Sequence, residues 1–233
     1  ASSKSGAADL LEALGIKIDL TGSEVEQTVH KIGIGFCFAP IFHSSMKHAA
    51  SARKELGTPT IFNILGPLAN PAKAVACAIG VARAELLPLI SQVLLEQGKE
   101  GFVFRGDDGL DEVSISTTTQ VIQIHDGKLT SSEFNPSDLG ITSSSISDLA
   151  GGDAKYNAQM TMKIFAGLKG PMRDAVALNA AFAIAAFKAD FDLPLQTQIA
   201  NAYVLANKAI DSGAALSVVK KWAELTNEIV SAR

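Results

Sequence analysis

The sequence predicts an α/β fold with a mixed central sheet wrapped by helices, and three patterns carry that expectation. Short apolar runs alternate with helical periodicities between about residues 74 and 105, the order of a parallel sheet covered by helices. A β-branched, alternating stretch follows from about Val113 to His125 and ends on Asp126-Gly127, a hairpin signal, so the sheet gains antiparallel strands. From Asp153 onward the pattern is helical and rich in alanine, most densely over Ala175–Phe187, as suits helices packed closely on a sheet.

Each element has its own warrant. Residues 7–14 open a short amphipathic helix with Leu10, Leu11 and Leu14 on one face and Gly15 as its stop. Thr21 or Ser23 caps a second helix running to about His30, and Ile32–Phe38 reads as a short strand interrupted by glycines. After Pro40 a helix is expected from about Ser44 to Leu56. Ala74–Val81 reads as a buried strand, Ala84–Gln97 as a helix closed by Gly98, Gly101–Arg105 as a second strand, and Gln196–Ile210 as a late helix. With no internal repeat and no low-complexity linker, residues 1–233 read as a single α/β domain. The opening Ala1–Gly6 lacks an initiator Met and drops straight into a loop before a helix, so it reads as a cut end.

Bulk composition excludes several functions. A hydrophobic fraction of 47% supports a globular core. A net charge of -4 leaves no basic excess for wrapping nucleic acid or lying on anionic lipid, so any anion must be bound locally. Cys37 and Cys77 have neither metal-ligand spacing nor a disulfide framework, which fits a reducing cytoplasm, and no apolar run reaches membrane-spanning length.

Three segments could carry chemistry. Gly106-Asp107-Asp108-Gly109-Leu110-Asp111-Glu112 follows a strand directly, and open α/β sheets place ligands at that strand end. Clustered carboxylates in a glycine-rich turn suit magnesium, which takes oxygen ligands and bridges to phosphates; a solvated acidic turn is the equally open alternative. Ser2-Ser3-Lys4-Ser5-Gly6 ahead of a helix offers hydroxyls, a cation and free backbone N–H groups, which suits a phosphate, although such loops are also ordinary helix caps. Met46, Ala50 and Arg53 share one helix face. That guanidinium could pair with a planar carboxylate or simply snorkel over the core. Ser44 and Lys47 match S-x-x-K without its partner motifs, and Gly33-Ile34-Gly35 lacks the third glycine of a dinucleotide loop.

Together these segments resemble anthranilate phosphoribosyltransferases along the whole chain. The likeness is carried by Ser2-Ser3-Lys4-Ser5-Gly6, Phe38-Ala39-Pro40 with His43 and Met46-Lys47-His48, Arg53-Lys54-Glu55-Leu56-Gly57, and Phe62-Asn63-Ile64-Leu65-Gly66-Pro67-Leu68. It continues through the acidic segment, Gly151-Gly152-Asp153-Ala154 with Asn157-Ala158, and Asp174-Ala175-Val176 with Leu178-Asn179-Ala180. The resemblance implies a nucleoside-phosphorylase-like transferase fold, with residues 1–233 as an α/β catalytic domain truncated at its N-terminus and the small helical domain largely absent. It implies that Arg53 binds the anthranilate carboxylate with Pro40, His43, Met46 and Gly66 around the ring. Ser2, Ser3, Ser5, Gly6 and Ala7 would contact 5-phosphoribosyl-1-pyrophosphate, and Asp111 and Glu112 would coordinate Mg2+.

The implied reaction joins the anthranilate amine to C1 of the ribose and releases pyrophosphate, with no covalent or acid/base residue required, in a cytoplasmic enzyme that is a homodimer at full length. Ser44 replaces a usual proline, Ala7 replaces a frequent hydroxyl residue or glycine, and the family's G-T-G-G-D, N-x-S-T and K-H-G-N-R segments do not occur. On that ground the chain alone is expected to fold but not to turn over. Other readings remain: a pyrimidine nucleoside phosphorylase-like enzyme, a nucleic-acid-binding relative disfavoured by the acidic charge, and an inert fragment of the transferase.

Overall fold

The computed structural model describes residues 5–43, 55 and 62–233. In chain order its helices are α1 (Ala7–Ala13), α2 (Gly22–Ile32), α3 (Ala39–Phe42), α4 (Phe62–Leu68), α5 (Leu86–Glu96), α6 (Ala154–Phe165), α7 (Pro171–Lys188), α8 (Leu195–Asp211) and α9 (Ala214–Ser231). The strands are β1 (Ala76–Gly80), β2 (Glu100–Gly106), β3 (Thr119–His125) and β4 (Lys128–Phe134). The chain divides into two compact units, residues 74–150 with 163–213 and residues 2–73 with 151–162 and 214–233. The single-domain expectation rested on the lack of a linker, and no change in composition marks where the chain passes from one unit to the other.

The first unit holds the sheet, in the order β1-β2-β3-β4. β1 and β2 run parallel, joined through α5, while β2–β3 and β3–β4 are antiparallel. The mixed sheet is therefore as the sequence patterns imply. Asp126 and Gly127 both take positive φ, 49° and 68°, the conformation of a two-residue hairpin whose twist matches its strands. β3 starts six residues later than expected, because Ser114 Oγ accepts from the N–H groups of Ser116 and Thr117 and turns the chain before it can pair.

α7 lies on β1 and β2. Its buried face is built from Ala177, Leu178, Ala181, Phe182, Ala185 and Ala186, and small side chains there allow close approach. At Gly101 a Cβ would fall 2.0 Å from the Cys77 carbonyl oxygen and 3.1 Å from Ala186 Cβ, so a side chain there would push strand and helix apart. Phe102, Phe104, Phe134 and Phe182 close the core, each 5% exposed or less.

In the second unit, Gly15 and Gly33 end α1 and α2 with φ of 83° and 81°, the left-handed stops that glycine takes without strain. The Glu24 carboxylate accepts from the Thr21 N–H at 2.7 Å and closes the first turn of α2. Residues 34–38 form no strand, contrary to expectation. Gly35 instead lies flush on α2, where a Cβ would meet Val25 and Val29 at 2.8 and 2.9 Å. α9 packs on α2, and the N–H of Lys17 donates to Thr226 Oγ1 at 3.0 Å. Among the described residues no helix is long and apolar enough to cross a membrane.

Candidate functional site

The acidic segment leaves the carboxyl end of β2, beside the carboxyl end of the parallel strand β1. Its glycines and two of its acids are spent on shaping it. The N–H of Gly109, at φ 94°, donates to the Gly106 carbonyl at 2.9 Å, and the N–H of Gly106 donates to the Leu110 carbonyl at 3.0 Å. Asp108 Oδ1 accepts from the N–H of Leu110 at 3.1 Å and Oδ2 from the Ser114 hydroxyl at 2.5 Å. Asp107 accepts from the Thr118 hydroxyl. Those two carboxylates are therefore consumed by the turn.

Asp111 and Glu112 are the two exposed acids that remain. Atoms packed around the Glu112 carboxyl penalise its charged form even though the residue reaches solvent, and the negative charges of Asp111 and Asp108 add to this, so its pKa is raised. A carboxylate crowded by like charge is relieved by a cation. Among the described residues no three His, Cys, Asp or Glu side chains converge as a cage, so a cation held by this pair would take its other oxygens from water and substrate. That division of ligands suits magnesium.

Two residues missed by the sequence reading set where the pair stands. Gly80 ends β1, and a Cβ there would lie 1.5 Å from the Asp111 carbonyl oxygen, so only glycine lets the loop pass. Asn179 on α7 accepts from the N–H of Val113 at 2.9 Å and donates to its carbonyl at 3.0 Å. Asn179 could be quoted from a sequence motif, but no local pattern ties it to a backbone far upstream.

The remaining candidates among the described residues belong to the second unit. Ser5 is half-buried, and Asn157 Nδ2 donates to its Oγ at 3.0 Å. Asn157 Oδ1 accepts from the Gly152 N–H at 2.8 Å, tying the Ser5 loop to the Gly151-Gly152 turn. Gly6 caps α1 through the Asp9 carboxylate at 2.8 Å, with Ala7 as the first helical residue. Pro40 lies in the first turn of α3 and is exposed, His43 caps its end half-buried, and Gly66 lies exposed within α4. Ser2, Ser3, Met46 and Arg53, and all but Glu55 of the expected Ser44–Leu56 helix, lie outside the described residues.

A family signature described as "Glycosyl transferase family, a/b domain" matches residues 1–216. The anthranilate phosphoribosyltransferase of Rhodococcus jostii (strain RHA1) is 48% identical over 233 residues, covering 100% of this chain and 64% of that protein. That of Nocardia farcinica (strain IFM 10152) is 43% identical, covering 98% of this chain and 68% of its own length. Among solved structures, anthranilate phosphoribosyltransferase from Saccharomyces cerevisiae in complex with PRPP and Mg superposes with a TM-score of 0.87 at 29% identity, over 96% of this chain and 63% of that one. The Thermus thermophilus enzyme gives 0.86 at 34%, over 97% and 66%. The chain thus spans about 64% of the length of the first of these curated relatives.

Proposed function

The chain belongs to the glycosyl transferase family, and we propose that it forms the α/β part of an anthranilate phosphoribosyltransferase. The reaction would form a bond between the anthranilate nitrogen and C1 of 5-phosphoribosyl-1-pyrophosphate, break the C1–oxygen bond to pyrophosphate, and release the amine proton to solvent. The observation that carries this reading is the pair Asp111 and Glu112, free of the turn's own hydrogen bonds at the carboxyl edge of β1 and β2, in a chain 48% identical along its whole length to such a transferase.

Asp111 and Glu112 would hold Mg2+, which when bound neutralises the charge growing on the leaving pyrophosphate. Arg53 would orient the nucleophile through its carboxylate, with Pro40, His43, Met46 and Gly66 around the ring. Ser2, Ser3, Ser5, Gly6 and Ala7 would contact the phosphoribosyl donor. The aromatic amine is neutral at pH 7 and needs no base, so catalysis is positioning plus electrostatic stabilisation. Two free cysteines suit a reducing cytoplasm, and the family resemblance supports a homodimer of the full-length protein.

The test is Arg53→Ala in the full-length protein, followed by anthranilate fluorescence. Losing a charge-assisted pair should cost about 2–3 kcal/mol, a roughly 30- to 150-fold rise in the KM for anthranilate, with the donor KM nearly unchanged. Unaltered anthranilate kinetics would remove the assignment.

A further inference from the structure

Asp111 and Glu112 sit between two fixed points. On one side the Asp111 backbone lies against Gly80, where no side chain fits. On the other, Val113 is 2% exposed and both of its backbone polar groups are taken up by one side chain, the Asn179 amide, at 2.9 and 3.0 Å. The amide is itself aimed by α7, since Asn179 Nδ2 also donates to the Ala175 carbonyl one turn earlier at 3.0 Å. A primary amide presents a donor and an acceptor side by side, and it here replaces the strand that would otherwise pair residue 113. Of the side chains of this length, only asparagine matches both the N–H and the C=O.

We infer that Asn179 is a positioning residue for the Asp111–Glu112 pair, fixing from α7 the backbone on which both carboxylates are carried. The inference rests on the reading of that pair as a magnesium site. Removing the amide would orphan a buried N–H and a buried C=O at Val113, and the loop would have to move to hydrate them. The carboxylates would move with it, and the geometry that a small octahedral cation demands would be lost. Gly80 alone could not hold the loop, because a missing Cβ permits a close approach without enforcing it.

Mn2+ as the probe, titrated into the full chain and followed by the electron paramagnetic resonance of the free ion, tests this apart from turnover. Asn179→Ala should weaken Mn2+ binding roughly 10- to 100-fold, as loss of supporting contacts around metal ligands generally does, and should speed hydrogen exchange at the Val113 amide. Asn179→Asp keeps the shape and the acceptor but sets a carboxylate against the Val113 carbonyl, so it too should bind more weakly. If added negative charge were all that counted, it would bind more tightly. Should Asn179→Ala fail to fold, Asn179→Asp carries the comparison.

Ser91→Ala, which deletes a buried hydroxyl bond to the Leu87 carbonyl within α5, is expected to leave Mn2+ affinity unchanged. Wild-type affinity in both Asn179 variants, or an equal loss in Ser91→Ala, overturns the inference while the metal reading stands. Glu112→Gln separates the two: if it binds Mn2+ like the wild type, the metal reading itself falls and the inference falls with it.

Discussion

The rings of Phe134 and Phe182 meet edge to face, their centroids 5.4 Å apart and their planes at 90°. Phe182 makes the same kind of contact with Phe102 and Phe104, at 5.5 and 5.3 Å, so a single helix side chain ties β2 and β4 to α7. Phe182→Ala should therefore destabilise the protein by about 3–5 kcal/mol, since the fully buried site cannot collapse on three neighbouring rings. Scanning calorimetry should show Tm falling by roughly 6–20 °C. A loss under ~1.5 kcal/mol would mean that the aromatic cluster repacks without it.

Gly80→Ala should behave differently. The added methyl must displace the Asp111 backbone, costing about 1–3 kcal/mol of stability, and the displaced residue is a proposed metal ligand. Divalent affinity should drop at least ~10-fold while the circular dichroism spectrum stays that of a folded chain. A variant that loses stability but binds Mn2+ like the wild type would confine Gly80 to a packing role.

The acid limb of stability should reflect Asp211 and Glu24. Arg173, 2% exposed, brings Nη1 within 2.8 Å of Asp211 while its Nη2 donates to Asn207 at 2.9 Å. Arg173 first and Lys169 second hold the Asp211 pKa at about 2, below its ordinary 3.8. Glu24 is lowered from 4.5 to about 2, chiefly by Arg233 and then by Thr21. For a depressed carboxylate the stabilisation is present above the unfolded pKa and is lost as pH falls through the folded one. Denaturation midpoints should thus be level above about pH 4.5 and fall between there and pH 2. Asp211→Asn should shallow that fall and lower the plateau; an acid limb identical to the wild type would show that the Arg173 pair contributes nothing.

The elements legible in the sequence are those whose cause is local. β1, β2 and the helix between them follow from runs of apolar residues, and the β3–β4 turn from Asp126-Gly127, because the turn type needs residues that tolerate positive φ. The exposed acids Asp111 and Glu112 are legible as part of a cluster, although its four acids look alike until hydrogen bonds show that Asp107 and Asp108 serve the turn. Ile32–Phe38 misleads because apolar character marks burial without saying against what, and here the partner is a helix face near Gly35. Asn179 escapes a local reading because its partner lies 66 residues away and its signal is geometric.

The bonds that close the second unit also set an order of events during synthesis on the ribosome. Lys17 pairs with Thr226 across 209 residues, Asn227 with Gly15 across 212, and Arg233 with Glu24 across 209. At about 5–20 residues per second, α1 and α2 emerge roughly 10–40 s before the helix that covers them. The apolar positions of the segment between them, Ile16, Ile18 and Leu20, nearly fully buried in the finished fold, stay uncovered for that interval. The sheet, whose four strands all lie within residues 76–134, can assemble in the meantime, so nascent chains stalled before residue 214 should be the form that chaperones hold and proteases find.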